Sequence, residues 1–71
     1  MNKIIISPLH FPIDNQYNYN VQVLTSIDGG KTFVYCGIGK YARDEEDIER
    51  VSAILSEKYH ANIIERRAQG V

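Results

Sequence analysis

The sequence predicts a small α+β domain, an antiparallel sheet with one helix packed on one face, in the order β-β-β-α-β. Three observations predict it. Tyr17 to Thr25 alternates between two kinds of side chain with a period of two, the pattern of a half-buried strand. Asp28, Gly29, Gly30 and Lys31 then separate it from a second β-rich run, Thr32 to Ile38, which marks a hairpin. Finally, residues 44–60 place Ile48, Val51, Leu55 and Tyr59 on one stripe of helical spacing, with Ile54 beside it. At 71 residues the chain is a single domain, 1–71. A domain this small buries roughly 60% of the surface its unfolded chain exposes, which leaves little room for an internal cofactor site.

The first strand is Lys3 to Ser7, three isoleucines between polar ends. Pro8 and Pro12 end it, and Asp14, Asn15 and Gln16 continue as a polar loop. In the second strand Tyr17, Tyr19, Val21, Val23 and Thr25 point one way and Asn18, Asn20 and Gln22 the other, with Leu24 breaking the polar side. A two- or four-residue loop at Asp28–Lys31 sets Val21 and Val23 on the face of Val34, Cys36 and Ile38. Leu24, Phe33 and Tyr35 then share the opposite face, and a one-residue change of loop length would exchange the two sets. Asp44 caps the helix, with Asp47 in a capping-box-like position. Asn62 is the expected left-handed residue after it. Ile63 and Ile64 start a short last strand running into Glu65, Arg66 and Arg67, and residues 68–71 are an expected frayed end.

The apolar share of 44% and charged share of 24% are those of a folded soluble domain, not of a disordered tail. A net charge of −1 argues against a general nucleic-acid binder, which carries a basic patch or stripe. Cys36 is the one cysteine, so no internal disulfide holds the chain and a reducing compartment fits best. The apolar run near Met1 is too short for a signal peptide, and no stretch reaches the ~20 residues of a membrane span. The expected location is the cytoplasm.

Two stretches bear on nucleotide chemistry. Gly30, Lys31 and Thr32 match the end of a phosphate-binding loop, but Thr25 stands where its first glycine belongs and a strand, not a helix, follows. Gly37, Gly39 and Ala42 fit the spacing of a dinucleotide fingerprint, and Glu65 lies where a ribose-binding acid would sit. Against this, Asp44, Glu45, Glu46 and Asp47 crowd the helix start where a pyrophosphate would bind, and each repels phosphate. The reading favoured is a glycine-rich strand exit with a bulge.

The segment Ser26-x-Asp28-x-Gly30-x-Thr32-Phe33 resembles the Asp-box, the S-x-D-x-G-x-T-W hairpin of sialidase-type propellers and of unrelated proteins, with Phe33 in place of the usual Trp. The resemblance implies a structural turn made by Ser26, Asp28, Gly29, Gly30 and Thr32. Its mechanics suit a hairpin: Asp28 accepts hydrogen bonds from the turn's own backbone, and Gly29 and Gly30 permit positive φ. Propeller function does not carry over, because one blade alone needs about 40 residues.

His10, Cys36 and His60 match no zinc spacing, and Cys36 is expected to point with the valines. No nucleophile, base and orienter converge on a plausible site, so the domain is expected to be no enzyme and to hold no metal and no cofactor. Asp44, Glu45, Glu46, Asp47 and Glu49 put five carboxylates within six residues. Acids there offset the helix dipole, and the same run can dock a basic surface of another protein. Five of the seven aromatics lie around the hairpin. One helix covers one sheet face, so Leu24, Phe33 and Tyr35 are candidates for an exposed contact surface.

Three functions fit these features. The first is a small non-enzymatic protein-binding module. It would use Asp44, Glu45, Glu46, Asp47, Glu49, Leu24, Phe33 and Tyr35 against a basic surface on a larger protein. In size, acidity and layout such a module resembles the small phage-encoded inhibitors of bacterial defence, the anti-CRISPR proteins. That resemblance implies a nucleic-acid-handling host complex as the target, with carboxylates standing in for phosphates. The second is a single-stranded nucleic-acid binder on the tyrosine face, although only Lys31 and Lys40 lie near it. The third is a structural domain that self-associates through a sheet edge, as a homodimer for example.

Overall fold

The computed structural model describes residues 1–68. Its elements are β1 (Asn2–Ile13), β2 (Tyr17–Thr25), β3 (Val34–Ala42), α1 (Glu45–Tyr59) and β4 (Ala61–Arg66). The strands form one sheet in the order β3-β2-β1-β4, and α1 packs across one face. This is the predicted α+β arrangement. Within it, β1, β2 and β3 pair antiparallel, but β4 pairs parallel to β1, so the sheet is mixed. Connectivity requires it. A helix between two strands of a sheet returns the chain to the end it came from, so β4 runs in the direction of β3 and therefore of β1.

β1 continues through both prolines instead of stopping at Ser7. Its pairing with β4 ends at Ile6 and Arg66, so beyond that point β1 has a free edge. A proline, which has no N–H to donate, is tolerated on such an edge. The polar stretch after it is a tight turn, not a loop. Asp14 and Asn15 have φ of 53° and 58°, and Gln16 N–H donates to the Ile13 carbonyl at 3.1 Å. Positive φ at both central residues defines the two-residue turn that matches strand twist.

The β2–β3 connection is longer than expected. Thr25 pairs with Val34, which leaves eight residues, 26–33, in the loop. Thr32 does not begin the strand because Asp28 engages both its N–H and its hydroxyl. Eight is an even number, so the predicted face assignment survives. A bulge at Cys36 and Gly37 then shifts the register, so that Val23 pairs with Ile38. Gly37 has φ of +83°, which a side-chain-bearing residue adopts only under strain. The bulge turns Cys36 out to solvent, where its thiol donates to the Val23 carbonyl at 3.2 Å, so Cys36 does not point with the valines. The fingerprint-like segment lies wholly inside β3. Gly39 is needed there because a Cβ would sit 3.2 Å from the Val21 carbonyl oxygen of the adjacent strand.

Val21 and Val23 mark the face that α1 covers. Ile4, Ile6, Val21 and Val23 from the sheet meet Ile48, Val51 and Leu55 from the helix, and Tyr19, Ile38 and Tyr59 pack around them. The small buried residues Ala42 and Ala61 sit where the chain leaves and rejoins the sheet. Asp44 caps α1 by accepting from Asp47 N–H at 2.9 Å. The left-handed residue at the other end is His60, φ 53° and ψ 44°, and not Asn62. The left-handed position comes two residues early because Ala61 is already paired opposite Asn2, whose side chain donates to the Tyr59 carbonyl at 2.7 Å. Of the expected frayed end, residues 69–71 lie outside the described residues. Among the described residues no helix is long and apolar enough to cross a membrane.

Candidate functional site

The five clustered acids have different fates. Asp47 is 5% exposed and acts inside the fold. Its carboxylate accepts from Arg43 N–H at 2.9 Å, from Arg43 Nε at 3.4 Å and from Arg50 Nη2. The Arg43 backbone bond, joined by Arg50, holds its carboxyl below the usual carboxylate range. The capping box is therefore displaced by one residue: Asp47 reaches back to Arg43 and not to its own cap. Asp44 is engaged as the cap. Glu45 is exposed but receives both guanidinium nitrogens of Arg66, at 2.6 and 3.0 Å, a two-pronged pair that also lowers its pKa. Glu46 and Glu49 are exposed and have no ion-pair partner among the described residues. Of five expected docking carboxylates, these two are left free.

The aromatic candidates lie elsewhere. Lys3 pairs with Leu24, and Leu24 with Tyr35, on the sheet face that α1 leaves open. Tyr35 is exposed, while Leu24 and Phe33 are half-buried. Lys3 Nζ sits 4.3 Å from the Phe33 ring centre and also reaches Glu65 at 3.2 Å, so the ring has an internal cation as its neighbour. The acids are grouped at the helix start, near the Tyr19–Ala42 pair. Leu24 is five residues farther along β2, about 17 Å at ~3.3 Å per residue, and on the other face. The structure does not bring the two predicted patches onto one surface.

The predicted turn is closed by its own side chains. Ser26 Oγ donates to Asp28 Oδ1 at 2.6 Å and accepts from Gly30 N–H at 2.9 Å. Asp28 accepts from Lys31 N–H, Thr32 N–H and Thr32 Oγ1 at 3.1, 3.0 and 2.5 Å. Gly29 and Gly30 adopt φ of 75° and 94°. Ser26 also exchanges backbone bonds with Met1, which ties the loop to the start of β1. The Ser26 hydroxyl, followed by Thr32, pulls the Asp28 carboxyl far below the usual range. We therefore expect a carbon-detected NMR titration to find Asp28 still ionised at pH 3. A step for Asp28 near pH 4 would show that the turn does not hold its carboxylate.

A third cluster was not anticipated. Tyr17 and Tyr41 stand with ring centres 6.2 Å apart, and Lys40, Arg43 and Arg50 line the same 310 Å³ cleft beside the exposed Ile54. Sequence reasoning counted only Lys31 and Lys40 near the tyrosines. The arginines arrive from the helix start through Asp47, a contact that no strand or helix periodicity reveals. His10, Cys36 and His60 remain apart, on the β1 arm, in the β3 bulge and at the helix end, and no group of three or more ligating side chains occurs among the described residues. No family model, curated protein or solved structure matches the chain.

Proposed function

We propose that this domain is a small, non-enzymatic protein-binding module that docks through its open sheet face. What supports the reading is the single-layer construction. One helix covers one face, while Leu24, Phe33 and Tyr35 lie on or beside the other, over which the described residues place no second layer. Tyrosine beside half-buried apolar residues is the composition favoured at the centre of protein interfaces. The finer reading is a basic, nucleic-acid-handling complex as the partner, met at a second contact by Glu46 and Glu49. It rests on the layout resembling anti-CRISPR proteins and on those two free carboxylates.

The test is affinity capture of the tagged domain from host lysate with nuclease present. One stoichiometric protein should be retained by wild type and lost with Tyr35→Ala plus Leu24→Asp, both variants checked for folding by circular dichroism. Retention by that variant would overturn the open-face reading. Loss with Glu46→Lys plus Glu49→Lys would support the basic-partner reading. Asp44 and Asp47 are unsuitable for such charge reversal, because they cap and brace the helix.

A second reading is favoured by the Tyr17–Tyr41 cleft, where aromatic rings and cations are interleaved as single-stranded nucleic-acid binding requires. It predicts that a labelled oligothymidine binds at low salt and releases steeply as salt rises, with Lys40→Glu weakening it. Absence of binding at low salt would eliminate it.

A further inference from the structure

A groove runs between α1 and β4, on the flank of the helix away from the tyrosine cleft. Its volume is about 560 Å³, and Ile6, Ile48 and Ile64 line it, with Ser52 between them and Glu49 and Glu57 along the helix side. Two features distinguish it from a bare apolar surface. Ser52 is 5% exposed, and among the described residues its Oγ has no hydrogen-bond partner, not even the carbonyl one turn back that a helical serine usually takes. A buried hydroxyl left in that state carries a desolvation cost. The second feature is β4 itself, an edge strand with one neighbour. Arg67 N–H bonds inward to the Ile6 carbonyl. Strand alternation therefore turns the N–H and C=O of Ile64 and Arg66 outward, unpaired and ready to accept another strand.

We propose that this groove binds an extended segment of a partner protein, added as a fifth strand beside β4, with the pattern basic-x-apolar-x-basic. Each part follows from geometry. A residue paired with Ile64 shares its face, so its side chain packs beside Ile64 at the outer rim of the groove. The residues two before and two after it lie on the same face, about 13 Å apart at ~3.3 Å per residue. Glu49 and Glu57 are separated by eight helical residues, about 12 Å at ~1.5 Å per residue. The two spacings agree, so one cation meets each carboxylate. Both are exposed and have no ion-pair partner among the described residues, while the nearby Arg66 is held by Glu45. The pattern reads the same in either direction, so it does not depend on strand polarity. A second copy of this chain is disfavoured. A two-fold pairing of β4 with β4 would set the two helices side by side and antiparallel, with Glu49 of one copy facing Glu57 of the other. This surface is separate from the open face.

The probe is a capped, fluorescent peptide, Thr-Lys-Val-Ile-Val-Lys-Thr, titrated with the full chain by anisotropy and by amide NMR. We expect saturable binding with the largest amide shifts at Ile64 and Arg66. Glu49→Lys plus Glu57→Lys should weaken binding about tenfold, the sum of two exposed ion pairs. The same variant should gain affinity for the peptide carrying Glu in place of both Lys. Tyr35→Ala should leave binding unchanged, which separates this surface from the open face. Equal binding of the Lys and Glu peptides to wild type, or shifts confined to other elements, would overturn the proposal. So would a sedimenting dimer that Ile64→Lys converts to monomer.

Discussion

Ile4→Ala should remove about 3 kcal/mol of folding free energy, within the ~2–5 kcal/mol range for truncating a buried isoleucine. Ile4 is fully buried on the central strand, where β1 pairs with both β2 and β4, and its side chain faces α1. Collapse around the lost atoms is opposed from every side. Both flanking strands are fixed by their ladders, and the helix is anchored at each end by Asp44 and by Asn2. A domain of this size sits near the low end of the ~5–15 kcal/mol stability range, so the variant should be visibly part-unfolded at 37 °C. Urea denaturation measures the change as a lower midpoint with unaltered slope. Ile64→Ala is the control. It is the same substitution on the paired residue of β4, but Ile64 is 52% exposed, and its loss should cost a small fraction of that. Equal costs would mean that α1 does not seal the β1 face.

Asp47→Ala should be the most damaging change to a charged residue, with a fall in Tm on the order of 10 °C. The substitution frees Arg43 N–H and both arginine side chains at once, and leaves the helix entry without its brace. The expensive part is the Arg43 N–H left without its acceptor at the helix entry, since the two arginine side chains are more than half exposed and can turn to water. The effect is pH-dependent with a definite sign. The folded carboxyl titrates below its ordinary value of 3.8. Its stabilisation is therefore fully present above the unfolded value and disappears as pH falls through the folded one. The gap in Tm between wild type and Asp47→Asn, which keeps the shape and loses the charge, should be constant from pH 7 to pH 5 and close below about pH 4. A gap that persists unchanged at pH 2 would show that packing, not charge, sets the role of Asp47.

Local patterning made most of this fold legible. The period of two in β2 sorted its side chains onto two faces, but which of the two α1 covers is decided by the structure, where Val21 and Val23 are buried against it. The helical stripe located α1 to within a residue at each end. Parity protected the faces of Val34 and Ile38 even though the loop proved to have eight residues, since both the loop and the bulge add residues in even numbers, but the bulge itself overturned that of Cys36. What escaped was non-local. The prolines of β1 read as terminators, yet their tolerance depends on where β4 stops pairing. The direction of β4 depends on the crossover, not on its own residues. The acidic run looked uniform in one dimension, but three-dimensional contacts divide it into a cap, a brace, an ion pair and two free carboxylates. The two predicted patches fell on opposite faces because adjacency in sequence says nothing about which side of a sheet a helix start emerges on.

The strand order has a consequence in time. Of the five elements β1 is made first, and it occupies the middle of the sheet. Its partner β4 and its cover α1 come last, with Asn2 meeting Ala61 and Ile6 meeting Arg66. During synthesis Ile4 and Ile6 can pair with β2 but have no lid and one vacant flank until α1 and β4 have followed. The nascent chain therefore carries this apolar strand uncovered from the synthesis of β1 to that of β4. Completion waits on the slowest kind of contact, one that closes nearly the whole length of the chain.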